Sequence, residues 1–404
     1  MIARGFVVLI LALTCFGSAQ AADFHFDGYA DLRFVVPSTQ GSATYGDLGK
    51  LRYGYDDGSV AAKIGDIVGE AHMQIVPELM AVAVGRINAQ YGPAVDLIEA
   101  YLRYRPVSTT AWRWSVKLGA FFPPGSLEND QIGWTSAWTI TPSAINSWIG
   151  YELRTIGAEG RIEWRRDDGT LALTGALFGW NDPAGVLIAD RGWSFDDRVS
   201  GIFEHERIPD AAAISQHKMP PVQAELFREL DNTPGWYLNL SWEPAHIGKF
   251  QIMRYDNDAD PKVRSAGQFA WHTNFWNAGF SKQIENVTLL AQAMTGSTKI
   301  QPSPTYYSTT NFSSAYVLTG IDLDSWRLAA RVDLFRTQTH APSPSLASEN
   351  GSSGTLAATW FARSWLQFTG EFIVVDSTRP QRMIANVSPH VTERQFQLLS
   401  RLFY

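Results

Sequence analysis

An alternation of apolar and polar side chains with a period of two residues is the feature that most constrains how this chain can fold. In the stretch DFHFDGYADLRFVV, Phe24, Phe26 and Phe34 fall on one face, whereas Asp31 and Arg33 fall on the other. Successive side chains of a β-strand point to opposite faces, so the pattern predicts a strand with one apolar and one ionic face. Such a strand fits a soluble sandwich, whose polar face meets water, or a membrane barrel, whose apolar face meets lipid.

The same alternation recurs along the chain in an even number of segments. We predict sixteen strands, at 24–35, 66–76, 79–90, 96–105, 111–122, 149–165, 170–180, 235–243, 249–257, 266–280, 285–297, 314–323, 326–337, 353–362, 365–375 and 392–404. Every second connection is short, and the others include the long loops 36–65, 123–148, 181–234, 298–313, 338–352 and 376–391. This parity is typical of outer-membrane barrels, whose short turns face the periplasm, whereas a sandwich has no reason to keep it.

Aromatic side chains flank the short turns. Trp112, Trp164, Trp242, Trp326 and Trp360 all lie within a few residues of such a turn. Trp and Tyr are enriched where a membrane protein crosses the boundary between lipid and water. The charged fraction of 18% is also below the ~25% usual in soluble domains. The sequence therefore predicts an all-β fold, a transmembrane antiparallel β-barrel of sixteen strands with short periplasmic turns and long extracellular loops.

The first 21 residues have the features of a secretory signal peptide. Arg4 precedes a run from residue 6 to residue 16 that is apolar except for Thr14, and Ala19-Gln20-Ala21 is a small-x-small cleavage site. The run is too short for a membrane helix, which needs about 20 residues. We therefore expect 1–21 to be removed during export, leaving 22–404 as a single outer-membrane barrel domain without cysteine, because Cys15 lies in the removed part.

The C-terminal segment RQFQLLSRLFY keeps the alternation up to Tyr404. In a closed barrel the last strand must pair with the first, because an open sheet edge is not tolerated in lipid. A C-terminal strand that ends on an aromatic residue also resembles the segment that the assembly machinery reads in bacterial outer-membrane barrels. We expect the strand at 392–404 to close the barrel, to meet that machinery, and to be surrounded by outer-membrane lipid.

The polar faces of the predicted strands define an interior with charges of both signs. The predicted pore-lining residues are Arg33, Arg86, Arg113, Lys117, Glu159, Arg161, Arg331 and Asp333. The same parity places Arg103, Arg327 and Glu371 on the inner face. Mixed charges of this kind either act on a passing solute or neutralise one another in ion pairs that stabilise the barrel wall. The sequence leaves both interpretations open.

The connection at 181–234 is far longer than ordinary loops, and long loops are functional or disordered. Its apolar residues, such as Trp193 and Phe195, indicate packing, and we expect a short helix at 224–230. The segment either folds into the barrel or caps it from outside. In the first case it forms a constriction with the charged residues Asp190, Arg191, Asp196, Asp197 and Arg198.

Two passages resemble bacterial porins of the phosphate- and polyphosphate-selective superfamily. DLIEAYLRYRP, followed by SVKLGAFFPPGSLEN, is similar to the passage in which a basic strand leads into a Gly-x-Phe-x-x-Pro bend, and GQFAWHTNFWNAGF and RLAARVDLFRT resemble uncharacterised porin-like proteins. The resemblance implies a sixteen-stranded barrel, often a homotrimer, that passes small polar solutes. Phosphate is not implied, because the chain has only eight lysines and only Lys117 falls in the matching bend.

Passive diffusion of small polar solutes or ions through a water-filled barrel is the function that these features favour. The alternatives are a closed structural or adhesin-type barrel and an outer-membrane enzyme, for which no catalytic arrangement is recognisable. Glu204-His205-Glu206 contains metal-ligand residue types, but neighbours in an extended segment point apart, so we expect no metal and no cofactor. The net charge of −7 does not favour a nucleic-acid partner.

Overall fold

The structure is a computed structural model that describes residues 23–54, 60–88, 93–216, 218–219, 222–342 and 345–404. The predicted signal peptide and the end of the strand predicted at 79–90 lie outside these residues. Among the described residues, no helix has the length and apolar character needed to cross a membrane.

Sixteen strands form one closed barrel in which sequence neighbours pair and the last strand pairs with the first, which confirms the predicted fold class. In chain order they are β1 (Asp23–Val36), β2 (Ala61–Val76), β3 (Leu79–Ile87), β4 (Val95–Tyr104), β5 (Trp112–Phe121), β6 (Thr155–Arg166), β7 (Gly169–Gly179), β8 (Gly235–Pro244), β9 (Lys249–Asp256), β10 (His272–Ile284), β11 (Val287–Ser303), β12 (Tyr306–Leu323), β13 (Trp326–His340), β14 (Glu349–Arg363), β15 (Leu366–Thr378) and β16 (His390–Phe403).

The barrel closes between β1 and β16, where Tyr29 lies opposite Phe403. Tyr404 continues this seam, because its N–H and C=O groups both bond to Gly28 at 3.1 Å. The Tyr404 hydroxyl donates to the carbonyl oxygen of Val68 on β2 at 3.0 Å. A Cβ on Gly28 would lie only 2.4 Å from the Tyr404 side chain, so the glycine makes room for the ring. The terminal aromatic residue is therefore an integral part of the closing seam.

We expect Tyr404→Ala to lower the free energy of unfolding of the detergent-folded barrel by about 1–2 kcal/mol, since it removes the hydroxyl bond and the packing against Phe26. The Phe26 and Tyr404 ring centroids are 5.7 Å apart. Tyr404→Phe keeps the ring and should recover most of the loss. Urea titration followed by tryptophan fluorescence measures the difference, and a Tyr404→Ala barrel as stable as the wild type would contradict this role of the ring.

The two faces of the strands differ as their alternation predicts. On the outer face, Phe34 is 51% exposed and Val332 is 60% exposed, whereas the inward-pointing Arg33 and Asp333 are almost fully buried. Aromatic pairs ring the rim that carries the short turns: Trp112 with Trp164, Trp242 with Phe250, and Trp326 with Trp360. We call this the short-turn rim, and the other the long-connection rim. The apolar exterior bordered by aromatics is the surface that a lipid bilayer requires.

Several predicted boundaries are wrong: the strand predicted at 266–280 begins only at His272, and the strand predicted at 66–76 begins already at Ala61. The loop predicted at 298–313 is instead the paired ends of β11 and β12, joined by a turn between Ser303 and Tyr306. These ends carry polar side chains on both faces, so the apolar alternation stops before the strands do. The strand predicted at 149–165 begins only at Thr155, because its first residues belong to the helix α1 (Ala144–Glu152). Every residue of α1 is buried, so the helix has no polar face to reveal its period.

The connections β5–β6 and β7–β8 both turn into the barrel. We call them the 122–154 segment, which contains α1, and the 181–234 segment, which contains α2 (Val186–Asp190) and α3 (Asp210–Ser215). The helix predicted at 224–230 is wrong, because Val222–Glu225 is a strand paired with His205–Ile208. An extended strand there is stabilised by pairing within the segment, which local sequence does not reveal.

Smaller elements complete the connections. They are the 3₁₀ turns Ala43–Tyr45 and Pro380–Ala385 and the two-stranded ribbons Asn129–Gln131 with Thr135–Ser136 and Arg264–Ser265 with Gln268–Phe269.

An apolar core lies inside the barrel, where the two segments meet inward side chains of the wall. Trp148 of α1 packs against Trp193 of the 181–234 segment and against Phe312 of β12, with ring centroids 6.0 Å and 5.1 Å apart. Phe195 packs in the same way against Phe335 of β13. Both segments are therefore folded parts of the interior, and they fill part of the lumen.

Candidate functional site

The eight predicted pore-lining residues all project inward, but they lie in two environments. Arg33, Arg86, Arg331 and Asp333 are almost completely buried where the inserted segments meet the wall. Arg113, Lys117, Glu159 and Arg161 line a cavity of about 300 Å³ on the inner wall. The first group holds the segments in place, whereas the second faces space that a solute can enter.

Arg331 of β13 attaches the 122–154 segment to the wall. Its guanidinium pairs with Asp333 at 2.8 Å and with Glu128 of the segment at 2.7 Å. It also donates to the carbonyl oxygen of Thr141 at 2.8 Å. All three charged side chains are fully buried, so each charge depends on the others for its compensation.

Asp197 attaches the 181–234 segment to β1. Its carboxylate pairs with Arg33 at 2.6 Å and with Arg52 at 3.0 Å. Burial disfavours the ionised carboxylate, but the two guanidinium groups outweigh burial and hold the pKa of Asp197 well below its usual range. The charge of this predicted constriction residue is therefore balanced within the protein.

Arg198 also pairs inside the protein, with Glu206 at 2.7 Å and with Glu204. Glu204 in turn accepts a bond from Arg86 of β3. The two carboxylates of the Glu204-His205-Glu206 sequence are thus engaged by arginines, while His205 is exposed on the other side of its strand. This geometry fits an ion-pair lattice that fixes the segment to the wall.

The other three predicted constriction residues are buried as well. Asp196 accepts a hydrogen bond from the hydroxyl of Tyr151, and the Arg191 guanidinium lies 4.2 Å from the centre of the Tyr151 ring. Asp190 accepts a bond from Gln216 at 2.6 Å, and burial raises the pKa of Asp190 to about 6. These charges shape the packing of the segment.

Glu152, at the end of α1, joins the two inserted segments. Its carboxylate accepts the backbone N–H groups of Gly185 at 3.1 Å and Leu187 at 2.8 Å, at the start of α2. It also accepts the indole N–H of Trp148. Burial raises the pKa of Glu152 to about 7, although these hydrogen bonds oppose the rise. The segments are consequently bonded to each other as well as to the wall.

Another buried charge cluster, around Glu349, was not indicated by the strand pattern. Lys50 pairs with Glu349 of β14 and donates to the carbonyl oxygen of Arg191 at 3.2 Å. Arg379 pairs with the same Glu349 carboxylate at 3.2 Å. Burial lowers the pKa of Lys50 to about 8, against the attraction of Glu349. Lys50 and Arg379 lie in connections between strands. There the apolar–polar alternation does not indicate which way a side chain points, so it cannot predict their ion pairs with Glu349.

Strand register brings the second group of predicted residues together. Arg103 of β4 lies opposite Lys117 of β5, which lies opposite Glu159 of β6. Nearer the short-turn rim, Arg113 lies opposite Glu163. Three neighbouring strands therefore place their charged side chains on one area of the inner wall, at the cavity.

Positive charge predominates at this cavity, which we call the basic cavity. Its charged lining is Arg103, Arg105, Arg113, Lys117, Arg161, Glu159 and Glu163. Lys117 pairs with Glu159 at 3.2 Å, and Arg161 pairs with Glu163 at 2.8 Å. Within the described part of the chain, the remaining three arginines form no ion pair, and Nε of Arg113 has no hydrogen-bond partner. Arg105 is the last residue of the strand predicted at 96–105, but it lies just beyond the end of β4 in the structure.

Two groups of side chains at the long-connection rim have the composition of cation ligands. Asp256, Asp258 and His272 form one group, and Asp182, Glu229 and Asp231 form the other, with ligand atoms within 4.8 Å of one another in each. In the first group, however, His272 and Asp256 bond to each other at 3.0 Å. In the second, Asp182 accepts the backbone N–H of Asp231 at 3.2 Å. Members of both groups therefore already hydrogen-bond within the protein.

Comparison with known proteins shows similarity of fold only. No family model and no curated protein matches the chain. The outer membrane channel DcaP of Acinetobacter baumannii is 9% identical, and the match covers 96% of this chain and 99% of DcaP with a TM-score of 0.57.

Two further solved structures match in the same way. A loop L8 deletion mutant of OmpT, an outer membrane protein of Vibrio cholerae, is 9% identical over 95% of this chain and 100% of that chain, with a TM-score of 0.54. An anion-selective porin from Comamonas acidovorans is 10% identical over 95% of this chain and 100% of that chain, with a TM-score of 0.52. Together with the sixteen-stranded closed barrel and its apolar outer face, these matches show that the chain has the β-barrel fold of outer-membrane porins.

Proposed function

We propose that this protein is an outer-membrane channel through which small polar solutes diffuse passively, and that it favours anions. The observation that carries the proposal is the basic cavity, in which Arg103, Arg105 and Arg113 lack carboxylate partners among the described residues. Low-dielectric walls concentrate the field of such charges on a passing ion. The porin from Comamonas acidovorans, which has the same fold, is anion-selective, and this agrees with the proposed preference.

The inserted segments narrow the passage in this proposal. The 181–234 segment, with Asp190, Arg191, Asp196, Asp197 and Arg198, and the 122–154 segment leave the solute a path along the wall beside the basic cavity. Because the segment charges are paired with protein groups, the unpaired arginines of the wall set the ion preference. A narrow path favours small solutes over large ones.

Export and assembly follow from the same proposal. Residues 1–21 direct the chain across the inner membrane and are removed, and 22–404 inserts as one barrel domain. The strand at 392–404 meets the barrel-assembly machinery, and lipid surrounds the apolar exterior. A homotrimer is the expected assembly, since a trimer form of OmpT from Vibrio cholerae, with a TM-score of 0.51, shares this fold.

Neutralising two of the unpaired arginines tests the ion preference. We expect Arg103→Gln combined with Arg113→Gln to lower the anion-to-cation permeability ratio by a factor of about two or more, because the local positive potential falls. Reversal potentials in planar bilayers under a salt gradient measure this ratio. Arg336→Gln is the matched control, since Arg336 is exposed on the outer face of β13, and it should leave the ratio unchanged.

A closed structural barrel is the second candidate function, and the apolar core of Trp148, Trp193 and Phe312 inside the lumen favours it. A bilayer conductance measurement distinguishes the two functions. Folded wild-type protein that inserts into bilayers but carries no current would reject the channel and support the closed barrel. Current with an unchanged permeability ratio in the arginine double variant would reject only the anion preference.

A further inference from the structure

A second cavity, of about 620 Å³, lies at the long-connection rim. Small-molecule pockets typically measure about 300–1,000 Å³. The lining comes from α2, the end of α3, the start of β12 and the connection that follows β13. None of the residues that line it also lines the basic cavity. We call it the rim cavity.

The charge of the rim cavity differs from that of the basic cavity. Among the described residues that line it, Asp190 is the only charged one. One oxygen of the Asp190 carboxylate accepts the amide of Gln216 at 2.6 Å, whereas the other accepts no hydrogen bond from a described residue. A lining without cations does not suit an anionic ligand, and a carboxylate with a free oxygen suits a ligand that donates hydrogen bonds.

The uncharged lining combines polar groups with aromatic rings. Hydroxyl and amide side chains are contributed by Ser215, Gln216, Thr305, Ser308, Thr339 and Gln381. Such groups donate and accept hydrogen bonds, as sugar hydroxyls do. Tyr306 is 43% exposed, and Trp271 is buried in the same lining. An aromatic ring offers an apolar surface with a polar edge, which matches the apolar C–H face and hydroxyl rim of a pyranose.

We propose that the rim cavity binds a neutral sugar of one or two rings. Asp190 accepts hydrogen bonds from sugar hydroxyl groups, and Tyr306 packs against the C–H face of the ring. Binding at this rim does not depend on conduction, so the inference goes beyond the channel function and stands or falls separately from it.

Calorimetric titration of the detergent-folded full-length protein with maltose and N-acetylglucosamine tests the proposal. We expect saturable binding of at least one of these sugars by the wild type. Asp190→Asn, which replaces the carboxylate by a weaker acceptor, should weaken binding roughly tenfold, and Tyr306→Ala should weaken it at least as much. Heat-modifiable mobility on gels verifies that each variant is folded, and Tyr306→Ala still tests the site if Asp190→Asn does not fold.

Tyr104→Ala is the matched control. Tyr104 lies at the short-turn rim and is 42% exposed, close to the 43% of Tyr306, and its variant should bind like the wild type. The absence of saturable binding of both sugars, or equal affinities in all folded variants, would overturn the proposal. Saturable binding of choline without binding of either sugar would overturn it as well, since Asp190 would then act as the counter-ion of an organic cation.

Discussion

Arg331→Ala should reduce the free energy of unfolding of the barrel by about 3–5 kcal/mol, because it leaves Glu128 and Asp333 buried without their cation. Both carboxylates are completely buried and pair with Arg331 at 2.7 Å and 2.8 Å. The variant also removes the bonds that hold Thr139 and Thr141 of the 122–154 segment to the wall. Urea titration of the detergent-folded protein measures the loss.

Arg161→Ala is the control for this prediction. Arg161 also points inward, on β6, but its side chain is 32% exposed and pairs with Glu163 at 2.8 Å, and Glu163 keeps a second pair with Arg165 at 2.7 Å. Exposed pairs contribute about 0–1 kcal/mol, so the control should lose little. Equal losses in the two variants would mean that Arg331 does not anchor the segment. A higher single-channel conductance in Arg331→Ala alone would further indicate that the segment has left the lumen.

Val332→Arg should destabilise the barrel by about 2–4 kcal/mol, because it places a charge in the hydrocarbon region of the bilayer. Val332 is the next residue along β13, but it points outward and is 60% exposed. It lies midway along the strand, away from the aromatic rim at Trp326. The measurement is the urea midpoint of barrels folded in lipid vesicles.

Asn311→Arg tests the depth dependence of this cost. Asn311 also points outward, on β12, but it lies near the long-connection rim, where polar side chains cover the exterior. Near the interface a charge costs about 0–1 kcal/mol, so the control should be almost neutral. Comparable losses from Val332→Arg and Asn311→Arg would contradict the position assigned to the lipid belt.

Strand parity predicts which way a wall residue points, as Arg331 and Val332 illustrate. It does not predict what the residue meets, because a partner such as Glu128 comes from a distant connection. The apolar–polar alternation is also lost where both faces of a strand are polar. For this reason the ends of β11 and β12 resemble a loop in the sequence. Alternation also fails to indicate α1, because all of its residues are buried and no exposed polar face marks the helical period.

The division of the predicted interior into two environments is equally invisible in the sequence. Arg33 and Arg113 have the same parity, yet Arg33 pairs with Asp197 and Arg113 faces the basic cavity. The difference arises from which stretch of wall each inserted segment covers. Segment length and apolar content predict folding, but not the place at which the segment docks. Exposed arginines at the cavity are therefore recognised only after the buried pairs have been assigned.

The pairs that fix the inserted segments impose an order on folding. Arg331 and Glu128 are separated by 203 residues, and Lys50 and Glu349 by 299. Contacts between such distant residues form late, because the entropy of closing the intervening loop must be overcome before they contribute. The wall strands that carry Arg331 and Glu349 lie in the C-terminal quarter of the chain, so these two anchors form only when β13 and β14 are in place, whereas Arg33 of β1 is available to Asp197 earlier. We therefore expect the interior to be fully anchored only after the C-terminal strands have joined the barrel.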